Sequence, residues 1–437
     1  MSICIIELND SEIRAARNAK IILRSPGYAV VRKDRLYTGN DALRMAYLNP
    51  RETYNRYWDK LNQDTLNTPA RNYRHHADLA YAHLMEIYQQ CGKPEEVLFA
   101  VPGGYSREKL ALLLGIAGAC PFKAVGLVDT AVAAAAVVVD RGLYQHLDIH
   151  LHRAIITHLD ADERISRTKV EVIDDTGLDR IYTTVSALIA DLFIEQSRFD
   201  PLHHAETEQA LYDQLPKCLQ TLHQSNEVLF EIHYKNATHQ AKLQRETLLS
   251  RLQPVYEKIL QHLTPDRTLL LGDRVSALPG LTEILPGTET LAAETIFRGC
   301  SELQAHIRSS GPALNFITEL PATDKPSISA VALPREVSRP GATADHMRVT
   351  HILAGHQAWP LSGSKTWLSA AGDVTAARHN DSRCNITADS GRIIITPEAG
   401  QTVFLNGREI QGGAEVQPGD MVEFPGSDSR FAFICVN

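Results

Sequence analysis

At 437 residues, 44% hydrophobic and 22% charged, the chain has a globular composition and is too long for one ordinary core, so two or three domains are expected. A formal net charge of -8, with no Lys/Arg cluster, removes the electrostatic case for nucleic acid. Seven scattered cysteines, never spaced Cys-x-x-Cys, argue against a disulfide framework or a zinc knuckle and suit a reducing, cytoplasmic setting.

The chain opens with a short apolar run at 3–6 that meets Glu7 and Asp10 without a basic flank, so no signal peptide is expected. Strands are expected at 3–8, 12–16 and 28–32, then a helix at 40–47 stopped by Asn49-Pro50. Residues 51–76 lack periodicity and read as irregular surface structure, and helical spacing returns at 77–90. The stretch 96–140 is the clearest. An apolar strand ends at Pro102-Gly103-Gly104, Ser106 caps a helix, a second strand runs 123–128, and Asp129-Thr130 stand at its C-terminal end before an Ala/Val helix. In an open α/β sheet that strand end is where ligands sit. The longest apolar run, 131–139, spans at most half a bilayer, so no membrane insertion is expected.

Strands at 145–151, 154–159 and 164–172, followed by a helix at 178–197, repeat the order of the chain's beginning. A helix at 206–221 interrupted by Pro216, a strand at 227–232, a helix at 243–263 kinked at Pro254, and a strand at 268–271 ended by Gly272-Asp273 follow. Helices at Leu281 and 294–306 close this domain, 1–310. Residues 311–345 read as an extended, proline-bearing linker. Residues 346–437 alternate as short strands at 348–353, 365–369, 392–396, 402–405, 421–424 and 431–436, which predicts a small all-β sandwich.

Several local sequences share an order: Thr38-Gly39-Asn40-Asp41-Ala42 with Asn49-Pro50, Val101-Pro102 before a helix, Asp129 leading Ala133-Ala134-Ala135, and Leu271-Gly272 with Leu278-Pro279. In that order residues 1–310 resemble the nucleotide-binding domain of the 70-kDa heat-shock chaperones, within the actin-like ATPase superfamily. The resemblance implies an α/β, two-lobed fold with ATP in a cleft. The family's phosphate turns are Gly-rich, D-L-G-T-T-N and D-L-G-G-G-T. Here they read Glu7-Leu8-Asn9-Asp10-Ser11-Glu12 and Asp148-Ile149-His150-Leu151-His152-Arg153. Backbone that approaches phosphate closely wants glycine, and Asp10 and Glu12 add negative charge facing an anion. The adenosine helix E-R-A-K-R falls on Pro216-Lys217-Cys218-Leu219-Gln220, and the last adenosine turn is reduced to Gly272 and Asp273. Glu7, Asp129 and Asp148 remain as candidate ligands to hydrated Mg²⁺, with Gly272 at the nucleotide. The other reading of Asp129 and Asp148 is strand-end capping, and of Glu7 a surface acid on an edge strand. The expectation is a degenerate ATPase with no cofactor, ATP and Mg being the ones the resemblance leaves open.

Ser382-Arg383-Cys384-Asn385 and Gln401-Thr402-Val403-Phe404-Leu405-Asn406-Gly407 stand in an order that resembles forkhead-associated domains, whose S-R-x-H and N-G turns grip phosphothreonine. The family's G-R turn falls on Gly363-Ser364, with Lys365 one place late. Ser382, Arg383, Gln401 and Asn406 are the candidate peptide-binding residues. Arg383 is also an ordinary loop arginine, and Asn406-Gly407 first of all a hairpin turn.

His146, Asp148, His150 and His152 share one parity, so an extended strand turns them to one face, where two imidazoles can meet one metal. With 18 histidines in the chain and no assignable third ligand, no metal is assigned. The function expected is a cytoplasmic scaffold or regulator: a pseudo-ATPase domain joined to a β-sandwich that docks a protein or peptide, phosphorylated or not. The alternative is a divergent Mg-ATP-binding switch or ATPase.

Overall fold

The computed structural model describes residues 3–323 except 34, 68–71, 286, 287, 310, 312 and 313, and residues 350–434 except 355, 356, 362–364, 372, 376, 380, 390, 391, 407, 411, 417–419, 426, 428 and 429. The chain is mixed α/β and divides into two compact units, Met1–Ile328 and Ser329–Asn437. The part of the expected linker from 324 to 345 lies outside the described residues, as do Gly363-Ser364 and Gly407.

The first unit contains two six-stranded sheets. One is built from β1 (Cys4–Glu7), β2 (Ile13–Arg17), β3 (Lys20–Ser25), β4 (Glu96–Val101) and β5 (Lys123–Asp129), in the order β5-β4-β1-β2-β3. The other is built from β6 (Gly142–Ile149), β7 (Arg153–Ala161), β8 (Arg164–Asp174), β9 (Thr268–Leu271) and β10 (Thr288–Thr290), in the order β10-β9-β6-β7-β8. In each sheet the first three strands pair antiparallel, and two later strands add in parallel on the other side of the first. The topology is thus duplicated. Residues 316–321, inside the stretch expected as linker, complete both sheets: Phe316–Ile317 runs parallel to β5, and Glu319–Pro321 pairs antiparallel with β8.

Amphipathic helices cover the sheets. His76–Gln90 and Arg107–Gly118 bury Leu79, Leu84, Ile87 and Leu113 with the first sheet. Leu178–Ser197, Ala205–Gln224 and Arg245–Leu260 bury Ile181, Leu211, Leu215, Leu248 and Leu252 in a cluster with Leu147 and Ile149 of β6. A third cluster, which includes Leu98 of β4 and Leu270 of β9, holds the all-buried helix Thr130–Ala135 and the helix Thr295–Glu302. Those two helices come so close that a Cβ on Gly299 would stand 1.8 Å from the Ala133 carbonyl oxygen, and only glycine fits.

Four local differences have physical causes. Residues 51–76 contain a short strand, Thr53–Tyr54, and a helix, Tyr57–Lys60, and Tyr57 and Trp58 are fully buried rather than on the surface. Their polar ends converge on buried His83: Tyr57 Oη lies 2.7 Å and Trp58 Nε1 3.1 Å from His83 Nδ1, with Ser25 Oγ 2.7 Å from Nε2. The Trp58 N–H requires an unprotonated Nδ1, so the ring proton faces Ser25. Ala237–Gln244 is a strand paired with Glu227–Tyr234, not the start of a helix; Leu243 and Ala241 alternate inward with polar residues between them, a period of two. Pro216 and Pro254 lie inside continuous helices, because buried stripes on either side outweigh one lost backbone bond. Leu281 lies in turns, and the short helix there is Asp273–Ser276.

The second unit has a six-stranded and a five-stranded antiparallel sheet sharing one apolar cluster, with Ile352, Leu368, Cys384, Ile395, Phe431 and Phe433 buried. It adds strands at Gln357–Pro360 and Ser382–Asp389 to those expected.

Candidate functional site

The strand ends of the first unit bring the candidate residues into one buried cluster. Glu7 ends β1, Asp129 ends β5, Asp148 is the penultimate residue of β6, and Gly272 follows β9, its N–H bonded to the Leu147 carbonyl. A Cβ on Gly272 would stand 2.9 Å from Asp148 Oδ1, so the last two residues are in near contact.

Each candidate acid is met by side chains of the chain itself. Glu7, with no exposure, accepts two bonds from the Arg274 guanidinium, 2.8 and 3.1 Å, and Arg274 also donates to the Glu12 carbonyl at 2.8 Å. Arg14 on β2 forks onto Asp273 at 2.9 and 2.7 Å and reaches Glu12 at 2.6 Å. Asp129 uses one oxygen to cap the helix behind it, accepting from the Ala131 and Val132 amides, and the other to accept from Arg167 at 2.7 Å. Asp148 accepts from Asn9 Nδ2 at 3.0 Å, and the same amide donates to the Ile149 carbonyl. Where the first turn would need glycine to bring phosphate close, Asn9 ties the two turns together. Asp10 does the same by accepting from the Leu151 amide at 2.8 Å, with His150 Nδ1 at 3.3 Å.

At Asp10, Asp129 and Asp148 burial by itself pushes the carboxyl up. At Asp148 the charges of Arg274, His150 and His146, with the Asn9 bond, outweigh burial and hold it below the usual range, and at Asp10 the His150 bond leads the same reversal. At Asp129 burial wins over Arg167 and the two amides, and its carboxyl sits above the usual range. Arg14 and Arg274 are raised although burial opposes it, Asp273 leading the opposing causes for one and Glu7 for the other. The chemistry is that of an internal ion-pair network. A hydrated Mg²⁺ wants open carboxylate oxygens and water, and a phosphate wants exposed N–H groups. Here two arginines occupy Glu7 and Asp273, and the fit to a Mg-nucleotide is poor. The small cavity beside the network, about 20 Å³ and touching Asp10, His150, Tyr105 and Lys109, has room for a water molecule only.

The histidine constellation is divided by the end of β6 at Ile149, beyond which strand parity does not reach. His150 turns to Asp10, and His152 Nε2 lies 2.9 Å from the Asn55 carbonyl oxygen. His146 stays on the strand, buried, with its pKa lowered by that burial. Among the described residues no group of three or more His, Cys, Asp or Glu is placed to hold a metal ion. The arginine partners were not legible in the sequence: Arg274 and Glu7 lie 267 residues apart, and Arg14 and Asp273 lie 259 apart. The one available signal was Arg274 directly after Gly272-Asp273, a cation where the resemblance would place the edge of an adenosine turn.

In the second unit, Ser382 is buried and its Oγ accepts from the His379 amide at 3.0 Å, so the hydroxyl closes its own turn. Arg383 donates to Gln401 Oε1, which joins two candidate residues into one pair. Asn406, at φ +52°, bonds Asp420 and the Met421 amide, both at 2.8 Å, and serves the turn.

No family model matches the chain, and no curated protein matches it. No described helix is long and apolar enough to cross a membrane.

Proposed function

We propose that this chain is a non-catalytic scaffold or regulatory protein: an actin-like, two-lobed fold similar to that of the heat-shock chaperones, whose nucleotide site has become an ion-pair network, followed by a β-sandwich of forkhead-associated type that docks a peptide or protein. The duplicated strand order supports the first part, and the two antiparallel sheets around one core support the second. The observation that carries the reading is the buried pair of arginine forks, Arg274 on Glu7 and Arg14 on Asp273, which supplies from within the chain the positive charge that a bound Mg²⁺ would otherwise bring to these acids.

Melting of the full chain with and without millimolar Mg-ATP tests it. A ligand at a hundred times its Kd adds about 2.7 kcal/mol to the folded state. The reading predicts an unchanged Tm and no phosphate release; a rise of several degrees contradicts it.

A further inference from the structure

One cavity of the first unit shares no residue with the ion-pair network. It is a groove of about 800 Å³ along the helix Arg245–Leu260, walled on the far side by Gly280, Glu283 and Ile284. The helix residues facing it include Leu249, Gln253, Tyr256 and Leu260, spaced four, three and four apart. That is the seam spacing by which one helix receives another. The helix that lines the groove has 16 residues, about 24 Å, enough to run beside a second helix of about four turns. Tyr256 is buried, with its Oη donating to the Pro279 carbonyl at 2.9 Å, and Gly280, at φ +77°, lets Leu249 pack against its backbone, where a Cβ would stand 2.5 Å from Leu249 Cδ2. Ile284, 48% exposed, adds apolar surface at the lip.

The charge on the groove is one-sided. Arg245 pairs with Glu283, leaving the Glu246 and Glu257 carboxylates to set the sign of the rim. The helix's other cations point elsewhere, Lys258 to the Asp174 carbonyl and Arg251 toward Asp191.

We propose that this groove docks an amphipathic helix of a protein partner, with apolar residues entering along the Leu249–Leu260 seam and flanking Lys or Arg residues meeting Glu246 and Glu257. Helix-in-groove docking takes its affinity from apolar anchors at heptad-like spacing, and complementary charge sets orientation and selectivity.

Fluorescence anisotropy on the full chain, with a labelled 18-residue amphipathic helical peptide, tests the proposal. One peptide carries leucine anchors flanked by lysines; its control carries glutamates in their place. The lysine peptide is expected to bind at least tenfold more tightly. Replacing both rim acids, Glu246→Lys with Glu257→Lys, is expected to remove that preference or invert it. The same charge change at exposed Asp162 and Glu163, outside the groove, is expected to leave it intact. Equal affinity for both peptides, or equal loss in the two double variants, would show only attraction to a chain of net charge -8 and would overturn the proposal. So would a dimer in sedimentation that the Glu246/Glu257 double variant dissociates, since a second copy would then fill the groove.

Discussion

Arg274 grips Glu7 through two hydrogen bonds of 2.8 and 3.1 Å in a site where neither side chain is more than 7% exposed. A buried pair of this kind contributes little over an apolar pair of the same volume, yet removing one partner strands the other charge, at a cost of about 3–5 kcal/mol. Glu7→Gln is therefore expected to lower the unfolding free energy by that much, read as a lower urea midpoint with an unchanged slope. Replacing both residues with apolar side chains, Glu7→Leu with Arg274→Met, is expected to recover most of the loss. A midpoint that barely moves in Glu7→Gln would mean the pair is solvated in solution.

Burial lowers His83 to about 3 from its ordinary 6.5, and its Nδ1 already accepts from Trp58. A depressed histidine pKa stabilises the fold above the unfolded value and loses that contribution as pH falls from 6.5 toward 3. His146 and His76 are shifted the same way by burial. Between 6.5 and 3 the neutral His83 ring loses up to about 1.4 kcal/mol of stability per pH unit. Unfolding measured at pH 7, 6 and 5 is expected to show stability falling, with a shallower fall in His83→Gln. A flat profile would contradict the buried, neutral ring.

Gly299→Ala is expected to destabilise the first unit by at least about 2 kcal/mol, because the new methyl meets backbone that cannot rotate away. Gly115, which has open space around its Cβ position, is the matched control. A glycine in the middle of a helix is less stable than alanine by about 0.5–1 kcal/mol, so Gly115→Ala is expected to raise the melting temperature slightly.

The frame of the fold was legible and the contents of the site were not. Strand, turn and helix from Glu96 to Ala135 follow local rules: Ser106 caps the helix Arg107–Gly118 and Asp129 caps the next, both as their positions suggest. The repeat of three strands and a helix was visible only in part: the strand expected at 28–32 belongs to a separate three-stranded sheet, and the third strand of the first large sheet, Lys20–Ser25, was not anticipated. What the strand-end acids do depends on partners brought in by pairing of distant strands, Arg14 from β2 and Arg167 from β8, and no local pattern carries that information. The burial of Tyr57 and Trp58 was hidden for a similar reason: a helix of only four residues shows no period.

Arg383 faces a neutral partner, Gln401, and so keeps its full charge for an anion. Retention of a phosphothreonine peptide by the full chain is expected to fall about tenfold in Arg383→Ala, as loss of one charge-assisted bond implies, with the unphosphorylated peptide unaffected. Equal retention of both peptides by the unaltered chain would remove phosphate from the account.

The most direct measurement is calorimetric titration of the full chain with Mg-ATP. With Asn9 joining the two turns and both arginine forks in place, no binding heat is expected up to millimolar nucleotide. Saturable binding in the micromolar range would show that the network opens for a nucleotide, and would contradict the scaffold reading.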